Sequence, residues 1–183
     1  MARDMFVCVC LLLVSVLQGQ VQSGTNPGSS QLREADKECT VVLNDNRKRI
    51  LEIFRAVEQR DERQLRELFA PDLEMHWPTS LPYGGTHTAS APGPMTWSGT
   101  WTPLQPTDAE RRMDPHVIAA DDHEVVVLWH QRGVAPRGDR FDGEVLGLYT
   151  LRNGKLTRAQ MFYFDTVATA DFLARAKLQL EKK

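Results

Sequence analysis

Residues 139–171 read DRFDGEVLGLYTLRNGKLTRAQMFYFDTVATAD, and this stretch decides the fold. Asn153-Gly154 separates two runs that are rich in Val, Leu, Tyr and Phe. Such a pair is the strongest local signal for a β-hairpin, because both turn positions need positive φ. An acidic residue, Asp165, stands where the second strand ends and a helical pattern begins. We therefore expect two long paired strands that lead directly into a helix.

A regular turn at Asn153-Gly154 would fix which side chains share each face of this hairpin. It would place Leu146 opposite Met161, Glu144 opposite Tyr163, and an aspartate, Asp142, opposite Asp165. We predict that these side chains form the face of a pocket. The opposite face would then carry a second apolar set: Val145, Tyr149, Leu151, Leu156, Phe162 and Phe164.

The chain offers too few helices to cover both faces of such a sheet. Apolar residues recur at helical spacing from Leu43 to Val57 and at the C-terminus from Phe172 to Leu180. A shorter helical pattern ends before Pro71, and Asp61 and Gln64 form a weak capping box at its start. The spare apolar face of the sheet therefore predicts a homodimer formed through that outer face.

The rest of the chain supplies further strands and one irregular segment. Alternation predicts a strand from Asp72 to Trp77, and two strands surround Asp121-Asp122, the second being central because it is apolar on both faces and includes Trp129. The Pro- and Gly-rich segment 78–106 excludes a continuous helix or a central strand. Its aromatic residues, among them Trp97, either fix the segment to the body of the domain or form a lid over a pocket. The order of elements predicts an α+β fold with a strongly bent antiparallel sheet.

Composition limits the class of protein. With 42% hydrophobic and 25% charged residues and a formal net charge of −2, the chain has the composition of a globular domain and no basic bias towards nucleic acid or an anionic membrane. The histidines show no ligand spacing and no HExxH, Walker or GxSxG motif is present, so we expect neither a metal nor a cofactor.

The N-terminus has a different character from the rest. One basic residue, Arg3, precedes an apolar run from Phe6 to Leu17, which is shorter than the roughly 20 residues that cross a bilayer. We expect a signal peptide over residues 1–23, a polar linker over 24–41 and one domain over 42–180, in a secreted protein without stable membrane insertion. An uncleaved anchor and a wrongly assigned start codon are the alternatives. After cleavage Cys39 alone would remain, so no intramolecular disulfide can form.

Three runs together resemble a known family. FAPDLEMHWP (69–78), VIAADDHEVVVLWHQRG (117–133) and YTLRNGKLTRAQMFYFD (149–165) are similar to the SnoaL-like polyketide cyclase branch of the nuclear transport factor 2-like (NTF2-like) superfamily. The resemblance extends over about residues 42–176 and departs from the family in the segment 78–106, where relatives commonly have a helix. It implies a cone-shaped fold with a pocket between a concave sheet and the helices. Because this fold has many functions, it does not specify one.

The resemblance also implies roles for individual residues. In such cyclases an aspartate at the end of the last strands removes a proton next to a carbonyl, and Asp165 occupies that position, with His76 or Tyr163 placed to assist. Two ordinary alternatives remain: Asp165 caps the last helix, and His76 is a structural imidazole. Glu144 is either a pocket carboxylate or one half of a hydrogen-bonded pair.

Two functions remain open from the sequence. One is cofactor-free cyclase, isomerase or dehydratase chemistry on a small carbonyl compound. The other is a non-catalytic protein of the same fold that binds a hydrophobic small molecule or uses its sheet to dimerise. The residues predicted to contact the small molecule are Leu146, Met161, Glu144, Trp129 and Trp97.

Overall fold

The computed structural model describes residues 28–88 and 96–181. Its helices are α1 (Gly28–Gln59), α2 (Glu62–Leu68), α3 (Thr96–Trp101), α4 (Asp108–Arg111) and α5 (Thr166–Leu180), with a 3-10 turn over Thr102–Leu104 after α3. Its strands are β1 (Phe69–Trp77), β2 (Gly85–Thr88), β3 (His116–Ala120), β4 (Glu124–Val134), β5 (Arg140–Arg152) and β6 (Lys155–Tyr163). The predicted order of two helices, a strand, an irregular segment, a four-strand meander and a closing helix is confirmed.

The six strands form one sheet in the order β2-β1-β6-β5-β4-β3. The meander β3 to β6 is antiparallel throughout, as expected. The sheet is nevertheless mixed, because β1 lies parallel to β6, with Met75 beside Ala159 and His76 beside Gln160. The predicted antiparallel sheet is thus confirmed except at this one pairing, which joins residues far apart in the chain.

The hairpin β5–β6 turns at the expected place but has a different register. Asn153 and Gly154 have φ of 54° and 69°, as a tight hairpin turn requires. Beyond the turn, Leu151 pairs with Leu156, whereas Thr150 pairs with Arg158, so Thr157 is an extra residue in β6. The Thr157 hydroxyl donates to the Thr150 carbonyl oxygen at 3.1 Å. Such a β-bulge exchanges the faces of every residue that follows it.

Because of the bulge, some residues of β5 and β6 do not lie opposite the partners that the sequence predicted. Leu146 now lies opposite Phe162, and Gly147 lies opposite Met161. The inner, buried face of the hairpin combines residues from both predicted sets: Val145, Tyr149, Leu151, Leu156, Ala159, Met161 and Tyr163. Leu146 and Glu144 lie on the outer face, so their predicted position in a pocket was wrong.

Asp142 does not lie opposite Asp165 either. It pairs across the sheet with Arg132 of β4, whose Nε donates to its carboxylate at 2.9 Å, while His130 Nδ1 lies 2.7 Å from its other oxygen. Burial raises the pKa of Asp142, but the hydrogen bonds from Arg132 and His130 outweigh this effect, and the net shift is downward. In place of the predicted pairing with Asp165, Asp142 thus forms an ion pair with Arg132.

The core lies between α1 and the inner face of the sheet. Phe54 of α1 packs edge-on against Trp129 at 6.0 Å between ring centroids and against Tyr149 at 5.6 Å. On β4 the residues Val125, Val127 and Trp129 are buried, whereas the alternate side chains of this strand are half-buried. This strand is therefore central, as its two apolar faces predicted.

The Pro- and Gly-rich segment contains short elements rather than a continuous one. β2 is an edge strand and α3 has six residues. Trp101 at the end of α3 is fully buried, and a Cβ atom added at Gly133 of β4 would lie 3.0 Å from its ring. The absence of a side chain at Gly133 thus lets Trp101 hold this segment against the sheet.

The N-terminal predictions fall mostly outside the described residues. The expected signal peptide over 1–23 and the first residues of the expected linker over 24–41 lie there. α1 begins at Gly28, so the described part of that linker is helical. Within the described ranges, no helix combines the length and the apolar character needed to cross a bilayer. The division into signal peptide, linker and domain stays a prediction.

Candidate functional site

A cavity of about 550 Å³ lies between α1, α2, the inner face of the sheet and the segment Thr96–Leu104. Its volume is within the range of small-molecule sites, roughly 300–1,000 Å³. Most of its lining is apolar or aromatic and comes from helix α1 and strands β1, β4, β5 and β6: Ile53, Phe54, Val57, Met75, Trp77, Trp129, Tyr149, Ala159 and Met161. These elements are rigid parts of the fold, so the cavity has a fixed wall.

Two parallel indole rings form one wall of the cavity. Trp77 of β1 and Trp97 of α3 stack with ring centroids 5.4 Å apart and an interplanar angle of 9°. Trp77 is positioned by the alternation of β1, which turns Leu73, Met75 and Trp77 inward. Trp97 is half-buried, and α3 brings it onto Trp77 from the irregular segment. The pair presents flat aromatic surface of the kind that stacks on planar ligands.

Beneath this wall lies a pair of buried tyrosines. Tyr83 donates its hydroxyl hydrogen to the Tyr163 oxygen at 3.0 Å, and the two residues are 2% and 9% exposed. Burial raises the pKa of Tyr83 to about 12, although the hydrogen bond to Tyr163 opposes the rise. Burial, together with Tyr83, raises the pKa of Tyr163 well above its ordinary value. Both hydroxyls are therefore neutral near pH 7, and neither is a base.

Three indole N–H groups around the cavity have no hydrogen bond of normal geometry within the described part of the chain. They belong to Trp97, Trp101 and Trp129. Each of these indoles lies near one tyrosine hydroxyl and opposes the rise that burial causes in the pKa of that tyrosine. Trp97 acts in this way on Tyr163, Trp101 on Tyr83 and Trp129 on Tyr149. The aromatic lining is thus joined by weak polar contacts rather than by a complete hydrogen-bond network.

Asp165 lies outside the cavity. It is the N-cap of α5: its carboxylate accepts a hydrogen bond from the Ala168 N–H at 2.8 Å, and its side chain is exposed. The predicted pocket face around Leu146, Met161 and Tyr163 therefore does not enclose the Asp165 side chain. Of the two roles that the sequence left open, the structure shows the helix cap.

His76 and Glu144 also lie on the outer side of the sheet. His76 Nδ1 is 3.1 Å from the Thr86 hydroxyl of β2, and Nε2 is 3.3 Å from a carboxylate oxygen of Glu74. The side chain thus has two polar partners on the sheet surface and does not reach the cavity. Glu144 is exposed on β5. Of the eight residues predicted for the site, the cavity lining includes Met161, Trp129 and Trp97.

The mouth of the cavity is the charged part of the site. It carries Arg60, Arg66, Arg111 and Glu62, together with the polar residues Ser98, Thr102 and Gln105. Glu62 is the one carboxylate among the described lining residues; it is exposed and lies 3.6 Å from Arg66. No aspartate, histidine, cysteine or lysine is found among these lining residues.

The same region gives no sign of a metal centre. Within the described ranges, no group of three or more His, Cys, Asp or Glu side chains is arranged to hold a metal ion. The expectation of a site without metal or cofactor stays a prediction.

Comparison with protein families places this site in context. Residues 50–159 match the model of the SnoaL-like domain, which is more than half of the chain. The chain belongs to the SnoaL-like domain family. The match includes most of the cavity wall, from α1 to β6, and so confirms the family resemblance of the sequence.

Solved structures show that this SnoaL-like domain has the NTF2-like fold. TerC, crystallised with polyporic acid, is 23% identical, with a TM-score of 0.59 over 71% of this chain and 98% of TerC. An NTF2-like protein of unknown function from Burkholderia pseudomallei is 19% identical, with a TM-score of 0.54 over 70% of this chain and 97% of that one. A protein of Jannaschia sp. CCS1 that carries the name SnoaL-like polyketide cyclase is 17% identical, with a TM-score of 0.53 over 70% and 90%. No curated protein matches the chain.

Several residues of the SnoaL-like cavity were not predicted from the sequence. Tyr149 was placed on the wrong face because nothing in the sequence marks the bulge at Thr157. Trp77 shares the inward alternation of Leu73 and Met75, so its pattern was present but was not assigned to the pocket. Arg60 follows an amphipathic helix, and only its positive φ of 55° distinguishes it.

Proposed function

We propose that this SnoaL-like domain binds a planar, largely apolar small molecule in its cavity. The observation that carries the proposal is the lining: about 550 Å³ enclosed by aliphatic and aromatic side chains, with the stacked indoles of Trp77 and Trp97 at one wall. Apolar pockets with a few polar groups at one end are the usual form of small-molecule sites. The co-crystal of TerC with polyporic acid supports a ligand of this kind in the same fold.

The lining favours binding over proton abstraction. A general base must lie within hydrogen-bond reach of the proton it removes. Asp165, His76 and Glu144 lie outside the cavity, and Glu62 at the mouth is exposed beside Arg66. Cyclase, isomerase or dehydratase chemistry thus has no buried carboxylate or imidazole base among the described residues that line the cavity.

A titration with the fluorescent apolar probe N-phenyl-1-naphthylamine tests the proposal. We expect saturable binding that Met75→Trp weakens, because Met75 lines the cavity and the larger ring narrows it. The matched control Leu146→Trp makes a similar change on the outer face and is expected to retain binding. Absence of binding to the unmodified protein, or equal loss in both variants, would refute a cavity site.

Turnover provides the test of the catalytic alternative. Any ligand that co-purifies with the protein is identified by mass spectrometry and incubated with the protein and with Asp165→Asn and Glu62→Gln. We expect no conversion by any of them. Conversion that either substitution abolishes, in a variant that still binds the apolar probe, would establish an enzyme.

We also propose that a second copy of the chain covers the outer face of the sheet. Phe162, Phe164 and Ile118 are 50%, 69% and 54% exposed there, which is unusual for large apolar side chains in water. Leu146 and Leu148 of β5 and Val126 and Leu128 of β4 lie half-buried on the same face. A face of this kind is self-complementary in a two-fold dimer.

We retain secretion as a proposal that rests on the sequence. The apolar run from Phe6 to Leu17 and the small-residue pattern at Val21-x-Ser23 support a cleavable signal peptide. Mass spectrometry of the protein from the medium of expressing cells is expected to show loss of residues 1–23. An intracellular protein of full-length mass would contradict it.

A further inference from the structure

Arg60 occupies an unusual backbone position at the end of α1. The Arg60 N–H donates to the Val57 carbonyl at 3.1 Å and the Asp61 N–H donates to the Ala56 carbonyl at 2.9 Å. These two bonds define a Schellman motif, whose left-handed position is usually glycine. Here it is Arg60, with φ of 55°. A strained residue that sits at a cavity is a reason to look for a role of its side chain.

The strained backbone places the Arg60 guanidinium at the mouth of the cavity. Its Nη2 donates to the Gln105 carbonyl at 2.8 Å and to the Thr102 carbonyl at 3.3 Å, and both of these residues also line the cavity. These bonds fix the position of the charge beside the segment that follows α3. They leave Nε and Nη1 without a partner in the described part of the chain.

The other arginines of the mouth have carboxylate partners. Arg66 lies 3.6 Å from Glu62, and Arg111 pairs with Asp108. The partners of the Arg60 side chain among the described residues are instead carbonyl oxygens, those of Thr102 and Gln105. Among the described lining residues, Arg60 is therefore a cation that carbonyl oxygens orient but do not neutralise. Val57 and Leu65 contribute apolar side chains to the same cavity lining.

We propose that Arg60 binds the acidic group of an amphipathic ligand whose aromatic body occupies the cavity. This inference rests on the proposed function and specifies its ligand class: planar aromatic molecules with a carboxylate, sulfonate or similar anion at one end. The guanidinium offers charge-assisted hydrogen bonds to such a group, and these are stronger than bonds between neutral partners. The apolar wall excludes the anion from the interior, so the ligand has one orientation.

Two probes that differ in one acidic group test this proposal. 8-Anilino-1-naphthalenesulfonate is an anion, and N-phenyl-1-naphthylamine is its neutral counterpart. We expect Arg60→Gln to weaken binding of the sulfonate about ten-fold, the effect of losing one charge-assisted contact, and to change binding of the neutral probe less than about two-fold. Arg60→Lys keeps the charge and is expected to retain most of the affinity for the sulfonate.

Two control variants show whether the change in probe fluorescence arises from Arg60 and from the cavity. Arg63→Gln removes an exposed arginine of α2 that is not part of the cavity lining and is expected to leave both probes unaffected. Met75→Trp narrows the cavity, so the fluorescence that this variant loses is assigned to the cavity rather than to the outer face of the sheet. Added salt is expected to weaken sulfonate binding in the unmodified protein and to have little effect in Arg60→Gln.

The outcomes separate this inference from the proposed function. Equal loss of both probes in Arg60→Gln would show that Arg60 only holds the segment Thr96–Leu104 in place, and would overturn the inference. Sulfonate binding that is insensitive to Arg60→Gln, with the neutral probe bound in the cavity, would overturn it while leaving the proposed function intact. Failure of both probes to bind the unmodified protein would refute the cavity site itself.

Discussion

The buried tyrosine pair allows a double-mutant cycle whose result depends on where the Tyr163 hydroxyl acts. In the unmodified protein the Tyr83 O–H donates to the Tyr163 oxygen at 3.0 Å, and Tyr83 is 2% exposed. Tyr163→Phe removes this acceptor and leaves the buried Tyr83 O–H without a partner. A buried polar group that loses its partner costs about 1–3 kcal/mol, so we expect a decrease of about 2 kcal/mol in the free energy of unfolding.

The second half of the cycle has a smaller cost. Tyr83→Phe removes the donor to Tyr163, but the Trp97 indole lies close to the same oxygen, so we expect about 1 kcal/mol. In the double variant no buried hydroxyl is left unpaired, and its cost is expected to be about 2 kcal/mol rather than the sum of about 3. The coupling energy is then about 1 kcal/mol, which urea denaturation of the four proteins measures.

A different pattern would refute this account of Tyr163. Single effects that add within about 0.5 kcal/mol would mean that the two hydroxyls are not coupled. A Tyr163→Phe variant of unchanged stability that no longer binds N-phenyl-1-naphthylamine would mean that the hydroxyl acts on the ligand, as the sequence predicted. Phe at each position conserves the ring, so the packing against Trp77 is kept in every variant.

Three further results follow from the structure. Asp165→Ala removes the cap of α5 and is expected to cost about 1 kcal/mol by urea denaturation, whereas Asp165→Asn keeps a capping oxygen and costs less; loss of probe binding in Asp165→Asn would contradict the cap. Because burial raises the pKa of Tyr83 from 10.0 to about 12, its contribution to stability is complete below pH 10 and is lost as the pH rises through about 12, a decrease of about 3 kcal/mol from this residue. Burial also raises the pKa of Tyr163 and of Tyr149, so Tyr83→Phe is expected to remove only part of the loss that denaturation detects across this range. Phe162→Glu on the outer sheet face is expected to give a monomer in sedimentation, whereas Leu178→Glu, which changes an exposed apolar residue of α5, keeps the dimer; a dimer that persists in Phe162→Glu would exclude this face.

Local signals predicted most of the fold. The Asn153-Gly154 turn, the Asp61 cap of α2 and the apolar strand β4 each depend on neighbours in the chain, and all three were confirmed. The parallel pairing of β1 with β6 was not predictable in this way. It brings Met75 beside Ala159, and no local pattern records a contact of that separation.

The sequence predicted three residues of the candidate site, and the bulge in β6 accounts for the errors on β5. Trp129 and Trp97 line the cavity as expected, and Met161 does so although its predicted partner was wrong. β5 is apolar at both even and odd positions, as Leu146 and Tyr149 illustrate, so hydrophobicity could not choose between its faces. The position of Asp165 is compatible with a helix cap and with a strand-end base, and its exposure and its bond from the Ala168 N–H identify the cap.

The surplus residue Thr157 divides the aromatic bulk of β6 between the inside and the outside of the molecule. In a hairpin without it, Phe162 and Phe164 would point towards α1, and Met161 and Tyr163 would point to solvent. Two phenyl rings would then occupy space that is empty in the present arrangement, and the outer surface would lose its largest exposed apolar groups. Thr157 therefore links the cavity volume available to a ligand with the apolar area exposed on the outer face of the sheet. Any shift in the register of β6 changes both.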